Sequence, residues 1–163
     1  NSDMFNQKYW RTTDYKVKWR PVFFDLDFAF KTAQRDMIAQ YFNVNGVPSA
    51  DKSLTYFEIY IGLKENAAWR QKCVDRYVEV VEKYFNAPRA TALFDQMVDA
   101  IRPEMPRQIA RWGKPGSMSE WEKSVSQMRS FIEQRPDYAL ENMRKYFGVS
   151  KDELNQLIAK YKQ

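Results

Sequence analysis

Two acids stand inside a run of aromatic and aliphatic residues, RPVFFDLDFAF, at positions 20–30. Carboxylates are rarely buried unless they are paired or bound to a cation. In an extended segment residues i and i+2 point the same way, so Asp25 and Asp27 are expected to face one side together. Two carboxylates converging in a poorly solvated place repel and raise one another's pKa. A divalent cation removes that penalty. Mg²⁺ is commonly held by one or two carboxylates, with waters and substrate phosphates completing the octahedron. The same spacing also fits a plainer arrangement, in which one acid caps the following helix and the other pairs with a Lys or Arg.

Upstream, NSDMFNQKYWR places Asp3 and Asn6 on a polar stretch ahead of a strand-like segment. An Asp, a nearby Asn, a strand pair and a later Asp is the order of parts in kinase-like phosphotransfer sites. There the first Asp accepts the hydroxyl proton, while the Asn and the later Asp hold the metal ions on the nucleotide phosphates. An ordinary turn accounts for Asp3 and Asn6 equally well.

Composition removes other chemistries. The 163 residues contain no histidine, which excludes Ser-His-Asp and Cys-His catalysis and His-ligated zinc or haem within the chain. Cys73 is the only cysteine, so no internal disulfide forms. The net charge of +5 favours anionic partners. No zinc-finger spacing, RNP motif or long Lys/Arg block points to nucleic acid, and none is expected as a partner. No stretch reaches the roughly 20 apolar residues of a membrane span. With 44% hydrophobic residues the chain can bury a core, and with 5 Gly and 7 Pro it has little room for long linkers. A single domain over 1–163 is expected. The opening NSDMFNQ, without an initiator Met, reads as the start of a cut piece.

The elements that must position the acids follow from periodicity. In YKVKWRPVFF, Tyr15, Val17 and Trp19 alternate with Lys16, Lys18 and Arg20, the period of a half-buried strand that then enters the core. KYWRT is its expected hairpin partner, with the turn near Thr13–Asp14. Residues 1–31 thus form a β-hairpin with the acid-bearing segments, and 32–163 read as helical. Helices are expected over TAQRDMIAQYF, over SLTYFEIYIGLKEN after a breaker-rich loop, and over AAWRQKCVDRYVEVVEKYF. The last buries Trp69, Cys73, Tyr77, Val80, Val81 and Tyr84 at helical spacing. Ala87–Pro88 starts another helix, and Arg102–Pro103 and Met105–Pro106 break it before RQIARW. After the loop GKPGSM, Ser119 with Glu122 suggests a capping box. Arg135–Pro136 is expected to divide that helix from PDYALENMRKYF. Gly148 sits where a C′ glycine belongs, and Ser150 with Glu153 caps a final helix. Trp10, Trp19, Trp69, Trp112 and Trp121 are expected in the core. Arg70, Arg76, Arg107, Arg111 and Arg135 are expected to be solvated or paired with acids.

Four stretches resemble the CotH kinase family of spore coat and secreted bacterial proteins: NSDMFNQKYWR, KWRPVFFDLDFAF, FEIYIGLKENAAWRQKCVDRYVEVVEKYF, and IRPEMPRQIARWG with SEWEKSVSQMRSFIEQRP. The resemblance runs over essentially all of the chain and over the C-terminal part of the family domain. It implies a mainly α, bundle-like, protein-kinase-like C-lobe with a small N-terminal β-hairpin. It implies an atypical kinase moving phosphate from ATP to Ser or Thr of surface or coat proteins with Mg²⁺ or Mn²⁺, at the cell surface or outside the cell. Asp3 then matches the catalytic Asp, Asn6 the catalytic-loop Asn, and Asp25 the metal-binding Asp, with Asp27 beside it. The Asp3-to-Asn6 spacing is shorter than in many relatives. The nucleotide-gripping N-terminal half is expected outside this chain, which alone is expected to be inactive. A second expectation of another class is a non-catalytic surface or coat interaction module, which would carry a large exposed apolar patch.

Overall fold

The computed structural model describes residues 8–22, 24, 29–42 and 61–162; for positions 40–42 it describes the backbone alone. The chain falls into two compact units, Asn1–Lys31 and Thr32–Gln163.

In the first unit, β1 (Lys8–Trp10) and β2 (Arg20–Val22) pair antiparallel, with Lys8 opposite Val22, Tyr9 opposite Pro21 and Trp10 opposite Arg20. The hairpin is there, but residues 15–19 belong to its loop. Local side chains divert the backbone from the ladder. Thr12 O accepts from Tyr15 N–H at 3.1 Å, Asp14 Oδ1 from Lys16 N–H at 3.1 Å, and Thr12 Oγ1 from Val17 N–H at 3.1 Å. Tyr15 takes a left-handed conformation with φ 59°. Its alternation with Trp19 has a different cause from a buried face. Both rings flank Arg11, whose guanidinium carbon lies 3.8 Å from the Tyr15 centroid and 4.7 Å from that of Trp19. The strand pair is exposed, Val22 included; of the residues expected to carry it into a core, Phe24 is half-buried and Phe23 lies outside the described residues.

The second unit is helical: α1 (Met37–Phe42), α2 (Ala67–Tyr84), α3 (Ala87–Ile101), a 3₁₀ turn (Arg102–Glu104), α4 (Met105–Trp112), α5 (Met118–Phe147) and α6 (Lys151–Tyr161). Residues 61–63 are also helical. The rest of the expected helix from Ser53 and of the loop before it lies outside the described residues. The expected helix at Thr32 begins only at Met37, because Thr32 O accepts from Arg35 N–H in a turn and Asp36 Oδ1 caps Ala39 N–H. Asn66 and Asn86 cap α2 and α3, accepting from Trp69 N–H and Arg89 N–H.

The longest helix, α5, is the backbone of the unit. Ser117, not Ser119, is its N-cap: Ser117 Oγ accepts from Glu120 N–H at 3.1 Å, and Glu120 Oε2 accepts from Gly116 N–H at 2.7 Å. The expected break at Pro136 does not occur, and α5 runs continuously through it. A proline inside a helix removes one backbone bond and crowds the preceding turn. Side chains on both sides of it are anchored to one outside segment. Arg135 Nη1 donates to Ala33 O and Arg35 O at 2.7 and 2.8 Å, and the buried Asn142 donates to Arg35 O at 3.5 Å. Gly148 ends α5 at φ 67°, where Val149 N–H reaches Arg144 O. Ser150 then caps α6 by accepting from Glu153 N–H, as the sequence indicates.

The C-terminal half of α5 packs with α2 and α6 around Val74, Val78, Val81, Leu140, Met143, Val149 and Leu154. The buried face of α2 is therefore turned by one residue from the expected one. Val74 and Val78 are fully buried, while Trp69, Cys73, Tyr77 and Val80 are half-buried and Tyr84 is exposed. The N-terminal half of α5 packs on α3 and α4, tied by Arg129 to Asp95 and Arg102 to Glu122. Of the five tryptophans only Trp121 is in the core. Trp69 is half-buried, and Trp10, Trp19 and Trp112 are exposed. Of the five arginines, Arg76 pairs with Glu79 and Arg107 with Glu104, Arg111 is exposed and Arg70 half-buried, and Arg135 bonds backbone carbonyls rather than an acid.

Candidate functional site

Asp3, Asn6, Asp25 and Asp27 all lie outside the described residues. The structure does describe the hairpin between them. Because Lys8 pairs with Val22, the chain enters β1 and leaves β2 at the same end of the ribbon. Asn6 precedes Lys8 by two residues and Asp25 follows Val22 by three. Lys8 Nζ lies 5.4 Å from the centroid of the half-buried Phe24 ring, which ties β1 to the residue just before Asp25. Among the described residues no group of three or more His, Cys, Asp or Glu side chains is arranged to hold a metal.

Two surface features of the helical unit escaped the sequence reading. The first is a cavity of about 600 Å³ lined by Ile38, Trp69, Cys73, Tyr77, Tyr146 and Phe147, with Lys72 and Arg76 at its rim. Its signal was the helical spacing of Trp69, Cys73 and Tyr77, read as wholly buried but in fact one step off the core face. Burial pushes the Cys73 thiol above its ordinary pKa, which disfavours the nucleophilic thiolate. The second is a stripe at i, i+4 and i+8 on α3, where Leu93, Met97 and Ile101 are all more than half exposed.

The family model for CotH kinase protein matches residues 1–139. This chain belongs to the CotH kinase family. Searches of curated proteins and of solved structures each returned no match. The CotH match spans both acid-bearing segments, the hairpin and the helices as far as Ala139 in α5. It stops short of the expected full-chain resemblance, so α6 and much of the core around Met143 lie past it. The mainly helical unit with a small antiparallel hairpin agrees with the expected CotH C-lobe. Among the described residues no helix is long and apolar enough to cross a membrane.

Proposed function

We propose that this chain supplies the acid-bearing half of a phosphotransfer site that moves phosphate from ATP to a Ser or Thr hydroxyl of a surface or coat protein. The observation that carries the reading is the family match over residues 1–139, which includes Asp3, Asn6, Asp25 and Asp27. The hairpin register supports it, since both acid-bearing segments leave the ribbon at one end. Asp3 accepts the proton of the attacking hydroxyl. Asp25, with Asp27 and Asn6, holds the cation; these donors are all oxygens, which suits a hard ion such as Mg²⁺ or Mn²⁺. An ion held there would neutralise charge on the nucleotide phosphates. A Lys or Arg from the rest of the domain grips the nucleotide, so the 163 residues alone are inactive. The family suggests association with a spore coat or cell surface.

The test is label transfer from ATP with Mg²⁺ or Mn²⁺ in the full-length protein, beside Asp3→Ala and Asp25→Ala forms. Loss of transfer in both, by at least about a hundredfold, is expected. Transfer unaffected by either substitution would sink the assignment. The exposed stripe Leu93, Met97, Ile101 favours a second reading, a protein-interaction module that keeps the CotH fold. That reading predicts no transfer and no nucleotide binding in any form.

A further inference from the structure

The outward side of α3 is apolar in its middle and charged at its ends. Leu93, Met97 and Ile101 follow one another at i, i+4 and i+8, which makes them one ridge of an α-helix. They stand 54%, 60% and 51% exposed. The ridge continues backward to Arg89 in the first turn of α3. The neighbouring row runs through Gln96 and Ala100 to Glu104 in the 3₁₀ turn. All four of these residues are exposed too. Ala100 carries only a methyl, so room for a foreign ridge opens between the two rows. The opposite side of α3 faces α5, where Val98 is buried and Arg129 holds Asp95 at 2.6 Å.

The pattern is complementary to itself. Leu93 and Ile101 lie equally far from Met97, so a two-fold axis at Met97 sets Leu93 against Ile101 of another copy and Met97 against its own counterpart. Arg89 precedes Leu93 by four residues, and Glu104 follows Ile101 by three. An antiparallel crossing therefore brings opposite charges together at both ends, whereas a parallel one sets Arg89 on Arg89. Arg89 forms no ion pair among the described residues, and Glu104 meets the exposed Arg107 through Oε2 at 2.9 Å. The first turn of α3 holds no acid and its last turn no base, so its dipole is not offset by residues of its own. An antiparallel neighbour supplies the opposite pole at each end. A membrane surface is a poorer match, because such faces are rimmed with cations, and the exposed acids Asp99 and Glu104 stand here instead.

We propose that α3 pairs with α3 of a second copy of this chain, antiparallel, across a two-fold axis at Met97. From Arg89 to Glu104 the contact spans about 24 Å of helix. That is short, so the dimer is weak and belongs with the small interfaces. The pairing does not need the phosphotransfer reading. Where the interaction-module reading holds, it names the partner as the protein itself.

The experiment is sedimentation velocity of the 163-residue chain from about 5 to about 500 µM, a range suited to a small interface. Salt of about 0.15 M screens the +5 charge that each copy carries. A reversible monomer–dimer equilibrium is expected. Met97→Glu should weaken it at least about tenfold. Should that chain lose its fold by circular dichroism, Met97→Ser carries the same comparison. Arg89→Glu should weaken it about fivefold, and Arg89→Glu with Glu104→Arg should restore it, because each reversed charge then meets a reversed charge on the other copy. The axis itself is read by disulfide formation under a mild oxidant, in a chain that also carries Cys73→Ala. Met97→Cys should link to its own counterpart, and Leu93→Cys should link to Ile101→Cys in a mixture but not to itself. The proposal is overturned by a monomer at every concentration, by association indifferent to Met97→Glu, by a charge swap that restores nothing, or by Leu93→Cys linking to itself as readily as Met97→Cys does. Asp3→Ala should abolish transfer in the full-length protein and leave this equilibrium intact, so the two readings fail separately.

Discussion

A single side chain matters here in proportion to how many elements it joins. Met143 is fully buried between α2, α5 and α6, and trimming it leaves a void that three helices cannot close. Met143→Ala should lower unfolding free energy by about 2–5 kcal/mol, read by chemical denaturation. Charges on the same helices act by pH. Glu141 accepts from Arg144 Nε and Nη2 at 2.7 and 2.8 Å, and these bonds hold its carboxyl down to about 2 from an ordinary 4.5. Asp75, which accepts from Lys160 Nζ and Tyr161 Oη at 2.7 Å, is also lowered, and so ties α2 to α6. A lowered carboxyl contributes stability above its unfolded pKa and loses that contribution as pH falls toward its folded value. Thermal melts should therefore drop through the window from about 4.5 to about 2, and Glu141→Gln should flatten part of that slope. An unchanged slope would mean that the pair is too well solvated to matter.

The α5 helix shows what the sequence does and does not disclose about an element. Its end was legible, because Gly148 meets a local need for left-handed backbone. The cap on α6 was legible for the same local reason, Ser150 to Glu153. The start was misread by two residues, since Ser117 and Ser119 each have a Glu three positions on, and only packing chooses between them. Ser117→Ala should cost about 1 kcal/mol, whereas Ser119→Ala should stay within about 0.5 kcal/mol. Equal costs would put the cap elsewhere. The continuity of α5 was illegible because proline is a local breaker, while the bonds from Arg135 and Asn142 to residues 33–35 come from about a hundred positions away. Pro136→Ala should stabilise the chain by up to about 3 kcal/mol, the interior-helix penalty removed, and a fall in stability would show that the proline itself packs usefully. The hairpin was legible in its pairing and its Thr13–Asp14 turn, yet strand alternation at Tyr15, Val17 and Trp19 imitated what is a clasp around Arg11. For the candidate site, the residue types and their order were legible through Asp-x-Asp and the upstream Asp3. The surface features at Trp69 and Leu93 were not, because which side of a helix is covered depends on its neighbours.

At the scale of the molecule, the candidate acids and the core are divided between the two units. Asp3, Asn6, Asp25 and Asp27 all belong to the unit 1–31, whereas every residue of the clustered core lies between Val74 and Leu154. The partly buried residues packed on that core run from Ile38 to Tyr161, again within residues 32–163. A chain begun at Thr32 therefore removes the candidate acids and none of the clustered core, while Ala33 O and Arg35 O remain to anchor α5. Such a chain should keep a cooperative thermal transition, within about 5 °C of the 163-residue form, since about 1 kcal/mol shifts the midpoint of a domain this size by only a few degrees. Circular dichroism melts of the two chains decide it. Cooperative melting of the shorter chain would assign stability to the helices. A broad, non-cooperative melt would show instead that the N-terminal residues complete the fold.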